Sequence, residues 1–253
     1  PQILATYDYD MVQILHKGLL DHGVDLVVGD KAGSFQGSHM TLASGRVVEG
    51  DAVVMAVGVT PDTALARDAG LELNEKGAIV VDSSYRTSDP DIYAVGDAIQ
   101  VYSALTGQPI QLALAGPAQK QARQAADSIC GRPVRNTGYI GSSCIKVFDY
   151  NAASTGLTAA QCEKAGIPYD FVYVMPPDRV SLMPGSTPLH YKLIYQVPTG
   201  RVLGVQAISK GDAPKRADIA ATLIKFGGTV DDLRDLELCY APPFSTAKDA
   251  GNH

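Results

Sequence analysis

The sequence predicts an α/β portion followed by an α+β portion, and three observations predict it. Up to about residue 131, helical patterns alternate with short continuous apolar runs, the texture of parallel strands covered by helices. From Tyr139 onward, strand patterns come at hairpin spacing with helices interspersed, which implies a mainly antiparallel sheet covered on one face. Gly131-Arg132-Pro133 punctuates the change, and 253 residues suffice for two compact units.

The elements follow in order. After Ile3-Leu4, Asp8 is placed to cap a helix in which Met11, Val12, Ile14, Leu15, Leu19 and Leu20 recur at helical spacing up to Gly23. Val24 to Val28 then reads as a strand, so helix and strand form part of a βαβ unit. Lys31 to Val48, broken by Gly33, Gly37 and Gly45, reads as short hairpin strands. Asp51 to Val57 is predicted as a fully buried strand ending at Gly58, after which Thr60-Pro61-Asp62 opens a helix through Leu65 to Ala69. Ile92 to Val95 reads as a short buried strand, and Gly96 lets the backbone turn so that Asp97 sits at its carboxyl end. Leu112 to Ala118 leads a helix running to about Gly131, whose small residues permit close approach and whose amino end offers unpaired N–H groups; a close-packed helix without a ligand accounts for it equally well. In the second portion, Cys144–Phe148, Phe171–Val174, Leu189–Val197 and Val202–Ile208 read as strands, with Pro198-Thr199-Gly200 as a hairpin turn. Thr158–Ala165 and Pro214–Phe226 read as helices.

Composition narrows the function classes. Hydrophobic residues make up 45% and charged residues 19%, and the net charge is -6 with no long run of either sign. That pattern predicts no nucleic-acid or membrane partner. No apolar run approaches the roughly 20 residues of a membrane span, and no basic-then-apolar leader opens the chain, so a cytoplasmic protein is expected. Cys130, Cys144, Cys162 and Cys239 form no C-x-x-C pair and have no histidine at metal-ligand spacing. They are expected to be free buried thiols, with no metal site. The chain opens on Pro1 in mid-pattern, and a piece of something longer is expected.

Thr87 to Asp97, Thr-Ser-Asp-Pro-Asp-Ile-Tyr-Ala-Val-Gly-Asp, organises the functional reading. An ionised Asp at the carboxyl end of a strand accepts hydrogen bonds only, so it suits a ligand presenting hydroxyls; a turn Asp satisfying nearby backbone donors is the simpler reading of Gly-Asp alone. The whole string resembles the second FAD-binding motif of the pyridine nucleotide-disulfide reductases, in which the final Asp holds the flavin ribitol. Gly58-Val59-Thr60-Pro61 resembles the Ala-x-Gly-x-x-Pro segment at the junction of the family's NAD and FAD domains. It precedes Thr87–Asp97 in the family's order, with Gly77-Ala78-Ile79-Val80-Val81-Asp82 between them. The family's Gln-Gly-Arg appears as Gln121-Ala122-Arg123. Leu238-Cys239-Tyr240-Ala241-Pro242-Pro243-Phe244-Ser245-Thr246-Ala247-Lys248-Asp249 resembles the end of the coenzyme A disulfide reductases and the related NADH oxidases, peroxidases and persulfide reductases.

The resemblance implies partial Rossmann-like FAD/NAD(P) domains followed by an antiparallel-sheet dimerisation domain. Residues 1–62 correspond to the second half of the NAD(P)-binding domain, 63–138 to the last segment of the FAD-binding domain and 139–253 to the dimerisation domain. Asp97, Gly96, Gly58 and Ala115 are implied as FAD-side residues. Tyr240 is implied as the substrate-side contact, reaching across a homodimer; read from its residues alone it is an aromatic anchored beside a rigid Pro-Pro turn. FAD and NAD(P)H are the implied cofactors, and a small thiol, disulfide or persulfide is the implied substrate. No G-x-G-x-x-G occurs, and no cysteine matches the family's redox position, so the fragment alone is expected to be inactive. Leu182-Met183-Pro184-Gly185 stands where coenzyme A disulfide reductases tend to have Tyr-Tyr-Pro-Gly, which leaves dioxygen or peroxide reduction open beside disulfide or persulfide reduction. A ferredoxin-reductase-like enzyme and a cofactor-free dimerisation module are the rival readings.

Overall fold

The computed structural model describes residues 1–253. Its centre is a five-stranded antiparallel sheet of order β6-β7-β10-β9-β8, formed by Ser143–Val147, Tyr150–Gly156, Val202–Ser209, Leu189–Gln196 and Tyr169–Val174 respectively. Both faces are covered, not one. Leu189, Tyr191, Leu193, Val205 and Ala207 pack against Ala217, Ala220 and Ile224 of α5 (Pro214–Phe226). On the opposite face, Ala152 and Ile208 meet Met11, Val12 and Leu15 of α1 (Tyr9–Asp21), and Ile194 and Leu203 meet Cys162 of α4 (Ala159–Ala165). The expectation of one covered face erred because α1 lies far away in sequence, in the α/β portion. With both sides filled, every residue of β10 is buried.

Strand β7 and a short helix, α6 (Val230–Arg234), escape the sequence reading. Asn-Ala-Ala-Ser-Thr lacks the bulk that signals a strand, yet Ala152 packs towards α1 and Ala153 towards α5. Small side chains are what a central strand squeezed between two helices can hold.

In the α/β portion, α1 forms as read, and Lys31–Val48 gives the hairpin strands β1 (Ala32–Gln36), β2 (His39–Leu42) and β3 (Val47–Glu49). Helices α2 (Ala64–Asp68) and α3 (Ala115–Ile129) also form. A cluster of Ile79, Val81, Tyr85, Ile99 and Val101 packs between Ala66 of α2, Ala125 of α3 and Tyr139. Inside it the Tyr85 and Tyr139 hydroxyls lie 2.7 Å apart, and Tyr85 donates to Gln124 Oε1.

Three predicted strands are absent. Val24–Val28 and Asp51–Val57 join no sheet, and the backbone of residues 51–62 makes no hydrogen bonds. Val54 is 88% exposed where full burial was expected. Ile92–Val95 contributes only an isolated bridge, Arg86 to Tyr93, and its two aliphatic ends are exposed. A strand needs at least one hydrogen-bonded neighbour, and no other segment of these residues supplies a ladder for them. No helix is long and apolar enough to cross a membrane.

Candidate functional site

Gly96, Asp97 and Ala98 form a single 3-10 turn, not a strand end, and Gly96 has φ +85, the left-handed region that glycine tolerates without strain. The turn is fixed from beneath by Gln121 on the second turn of α3, whose Oε1 accepts from the Gly96 N–H at 2.6 Å. Gln121 is fully buried, and its Nε2 has no partner within the chain. The hydrogen bonds of the turn thus run through Gly96 and through the Ala98 carbonyl oxygen, which accepts from Ile79 N at 2.8 Å, while Asp97 is exposed. That disfavours a turn Asp consumed by backbone donors.

Helix α3 starts at Ala115 with Leu114 as its cap residue and no side-chain cap. The N–H groups of Ala115 and Gly116 make no hydrogen bond within the chain, and Pro117 has none to offer. Donors at a helix amino end, a carboxylate acceptor and an orphaned buried amide thus sit on two elements that Gln121 ties together. A ligand carrying both hydroxyls and electron-rich acceptor atoms, as a flavin nucleotide does, fits this donor and acceptor set. Gly58 has φ +97 with nothing near the position a Cβ would take, and it lies in the unpaired segment 51–62.

Tyr240 projects from the opposite end of the chain, 49% exposed and without a hydrogen-bonded hydroxyl, on a segment folded back by Ser245, whose N–H reaches Ala241 O and whose hydroxyl reaches Cys239 O. A cavity of about 960 Å³ lies between the Ser103–Leu114 loop and the five-stranded sheet, with Ser143, Ser154 and Lys164 on its wall. None of Gly58, Gly96, Asp97, Ala115 or Tyr240 lines it.

Two buried polar clusters were missed by the sequence reading. Asp8 stands at the cap position of α1 but does not cap it. Its carboxylate accepts from Ala159 N at the start of α4 at 3.0 Å and from Gln206 Nε2 at 2.8 Å, and it pairs with Lys192 Nζ at 3.1 Å. Lys192 also reaches Asp10 at 2.8 Å. In the second cluster, Arg216 of α5 pairs with Asp249 at 2.9 Å. Partners as much as 198 residues apart leave no local pattern to read.

Only Cys162 is a buried thiol; Cys130, Cys144 and Cys239 are exposed, which corrects the expectation that all four are buried. Packing under α4 hides Cys162, and burial, with Asp8 and Glu163 nearby, raises its pKa to about 11. A colorimetric thiol reagent at pH 8 should therefore titrate three thiols quickly and the fourth only after denaturation. Rapid reaction of all four in the folded chain would contradict the packing around α4.

The fold and the turn together define a class: a ligand-binding α/β unit joined through buried contacts to an antiparallel-sheet domain. The comparisons identify which. The chain belongs to the pyridine nucleotide-disulphide oxidoreductases: the family's model matches residues 1–122, and the model of its dimerisation domain matches residues 142–250. Coenzyme A disulfide reductase of Staphylococcus epidermidis is 30% identical over 246 residues, 97% of this chain and 56% of the relative. The crystal structure of reduced Bacillus anthracis CoADR-RHD matches with a TM-score of 0.96 at 40% identity, over 99% of this chain and 46% of that one. A NAD-dependent persulfide reductase from A. fulgidus matches with a TM-score of 0.94 at 35% identity, over 98% of this chain and 47% of that one. The chain therefore spans about half the length of the relatives it matches.

Proposed function

We propose that these residues belong to a homodimeric, FAD-containing, NAD(P)H-dependent reductase of a small disulfide or persulfide, whose glycine fingerprints and redox cysteine lie outside the present 253 residues. The observation that carries the reading is the exposed Asp97 carboxylate, on a turn whose Gly96 N–H donates to Gln121 of the same helix whose amino-terminal N–H groups are unpaired. Residues 1–62, 63–138 and 139–253 then act as part of the nicotinamide domain, part of the flavin domain and the dimerisation domain.

Bound FAD would supply the relay of reducing equivalents from a nicotinamide to a thiol-disulfide couple. The chain's own residues bind and orient. Asp97 accepts from ribitol hydroxyls, and Gly96 lets the ligand approach the backbone without a side chain in the way. The Ala115 and Gly116 N–H groups hold an electron-rich edge of the cofactor, and Gly58 keeps the junction segment open. Tyr240 presents a hydroxyl donor on the acceptor side, across the dimer. The Ser245 hydroxyl, donating to the Cys239 carbonyl oxygen, folds the segment beneath it.

Asp97→Ala in the full-length protein should weaken FAD about 10- to 150-fold, the equivalent of about 1.5–3 kcal/mol for hydrogen bonds to a charged group. Flavin absorbance and fluorescence titrations against wild type read this directly. An unchanged FAD affinity would sink the assignment of the turn. A second reading, an NADH oxidase reducing dioxygen or peroxide, draws support from Leu182, which is 93% exposed and offers no hydroxyl to a bound sulfur. Relatives of both kinds match, a water-forming NADH oxidase from Lactobacillus brevis among them at 28% identity, a TM-score of 0.90 and coverage of 98% of this chain and 55% of that one. Acceptor-dependent NAD(P)H consumption under argon and under air separates the two.

A further inference from the structure

We propose that Arg216 is a positioning residue that locks the Tyr240 segment and the Asp178–Thr187 loop into one unit on the acceptor side. The inference rests on the reading above that Tyr240 and Leu182 face the acceptor.

Arg216 lies in the first turn of α5 and is 2% exposed. Its Nη2 donates to the Asp178 carbonyl oxygen and to Asp249 Oδ2, both at 2.9 Å, while Nη1 donates to the Asp212 carbonyl oxygen at 2.9 Å. A single planar cation therefore touches three separate segments, a reach that a lysine ammonium with its one nitrogen does not reproduce. Asp178 opens the loop and also closes its neck: its N–H donates to the Thr187 carbonyl oxygen, and its Oδ1 accepts from Thr187 N at 2.8 Å. The apex carries Leu182 and Met183. Asp249 ends the segment that begins at Tyr240, and a second tie runs from Val180 N to the Pro242 carbonyl oxygen at 3.3 Å.

The fit at the hub is close. A Cβ on Gly211 would run into the Asp178 carboxylate, so the turn leading into α5 packs directly against that side chain. Asp249 Oδ1 and Arg216 Nε have no other partners inside the chain, which leaves the Nη2–Oδ2 contact as the only bond of the Asp249 carboxylate. Tyr240 and Phe244, by contrast, point outward, 49% and 70% exposed. The apices that would meet an acceptor thus have little packing of their own and take their position from the buried hub.

The test uses the full-length protein and two measurements. In wild type under mild urea, amides of residues 178–187 and 239–249 should open with one common denaturant dependence, distinct from those of β9 and β10. In Asp249→Asn, both sets should exchange about tenfold faster while β9 and β10 keep their protection, and Arg216→Lys should do the same. Kinetically, Asp249→Asn should raise KM for coenzyme A disulfide about tenfold and leave the rate of flavin reduction by NAD(P)H in a single turnover unchanged. Loosening of the tail alone, or separate opening of the two segments in wild type, would overturn the lock. Joint loosening with an unaltered acceptor KM would keep the lock and sink the acceptor-side reading of Tyr240.

Discussion

Lys192→Met should release α1 from the sheet, with an expected cost of about 3–5 kcal/mol, the range for removing one partner of a buried ion pair. Lys192 is buried in β9, on the face that α1 covers, and its ammonium sits between Asp8 at 3.1 Å and Asp10 at 2.8 Å. Methionine fills a similar volume, so the substitution removes charge more than packing. Asp8 would then remain buried and ionised with two neutral donors, Gln206 Nε2 and Ala159 N, for company. Coulomb attraction that balanced its desolvation is lost, and the chain can recover hydration only by lifting the Tyr7–Asp10 segment away. Amide exchange in α1 should accelerate by about a hundredfold or more, following 1.4 kcal/mol per factor of ten. Protection of α1 equal to wild type would show that Met11, Val12 and Leu15 hold the helix without the ion pair. Asp8→Asn on the Lys192→Met background should restore part of the loss, since it removes the stranded charge.

Under the proposed function α1 is the nicotinamide-side helix, and this ion pair fixes it against the antiparallel sheet. Any enzyme that passes reducing equivalents through a flavin must hold its two halves in register. Asp8 and Asp10, Lys192 and Gln206 provide that register from three places in the chain.

The parts legible in the sequence are those whose signal is local. Helix α5 was read at its observed bounds because Pro214 starts it and Gly227, in the left-handed region, ends it. Strands β9 and β10 carry long apolar and β-branched runs. The Asp97 turn was legible through its eleven-residue string, although as a 3-10 turn it differs from the strand end expected. Strands at 24–28, 51–57 and 92–95 show the opposite case. Their apolar patterns report the surface a strand would be buried in, whereas pairing depends on neighbouring strands, which these residues do not supply. Gln121 was quoted only for its place in a motif, yet it is the residue that holds Gly96. Arg216 reads as an ordinary basic residue beside Lys215 at a helix start. Only the fold brings Asp178 and Asp249 to it.

Gly204→Ala should be a severely damaging single-methyl change in the sheet, destabilising the second domain by at least about 3 kcal/mol when overpacking and a lost backbone hydrogen bond combine. A Cβ at position 204 would overlap the Leu157 carbonyl oxygen, and one at Gly156 would overlap the Leu203 carbonyl oxygen. The two glycines face each other across β7 and β10, where Leu157 N donates to Leu203 O at 2.9 Å. No side-chain rotation relieves such a clash, because both atoms belong to backbone. The strands must separate at this point, and the disturbance passes directly to α4, whose capping box begins at Thr158 and whose Ala159 N–H holds Asp8. Gly116→Ala is the matched control: nothing lies within 4 Å of its Cβ position, and in a helix alanine is favoured over glycine by up to about 1 kcal/mol. Thermal unfolding of the two variants side by side should give a lowered midpoint or insoluble protein for Gly204→Ala and an equal or higher midpoint for Gly116→Ala. Equal midpoints would mean that the β7–β10 crossing can open by about 1 Å without cost, and that the close backbone approach is not what glycine at 204 serves.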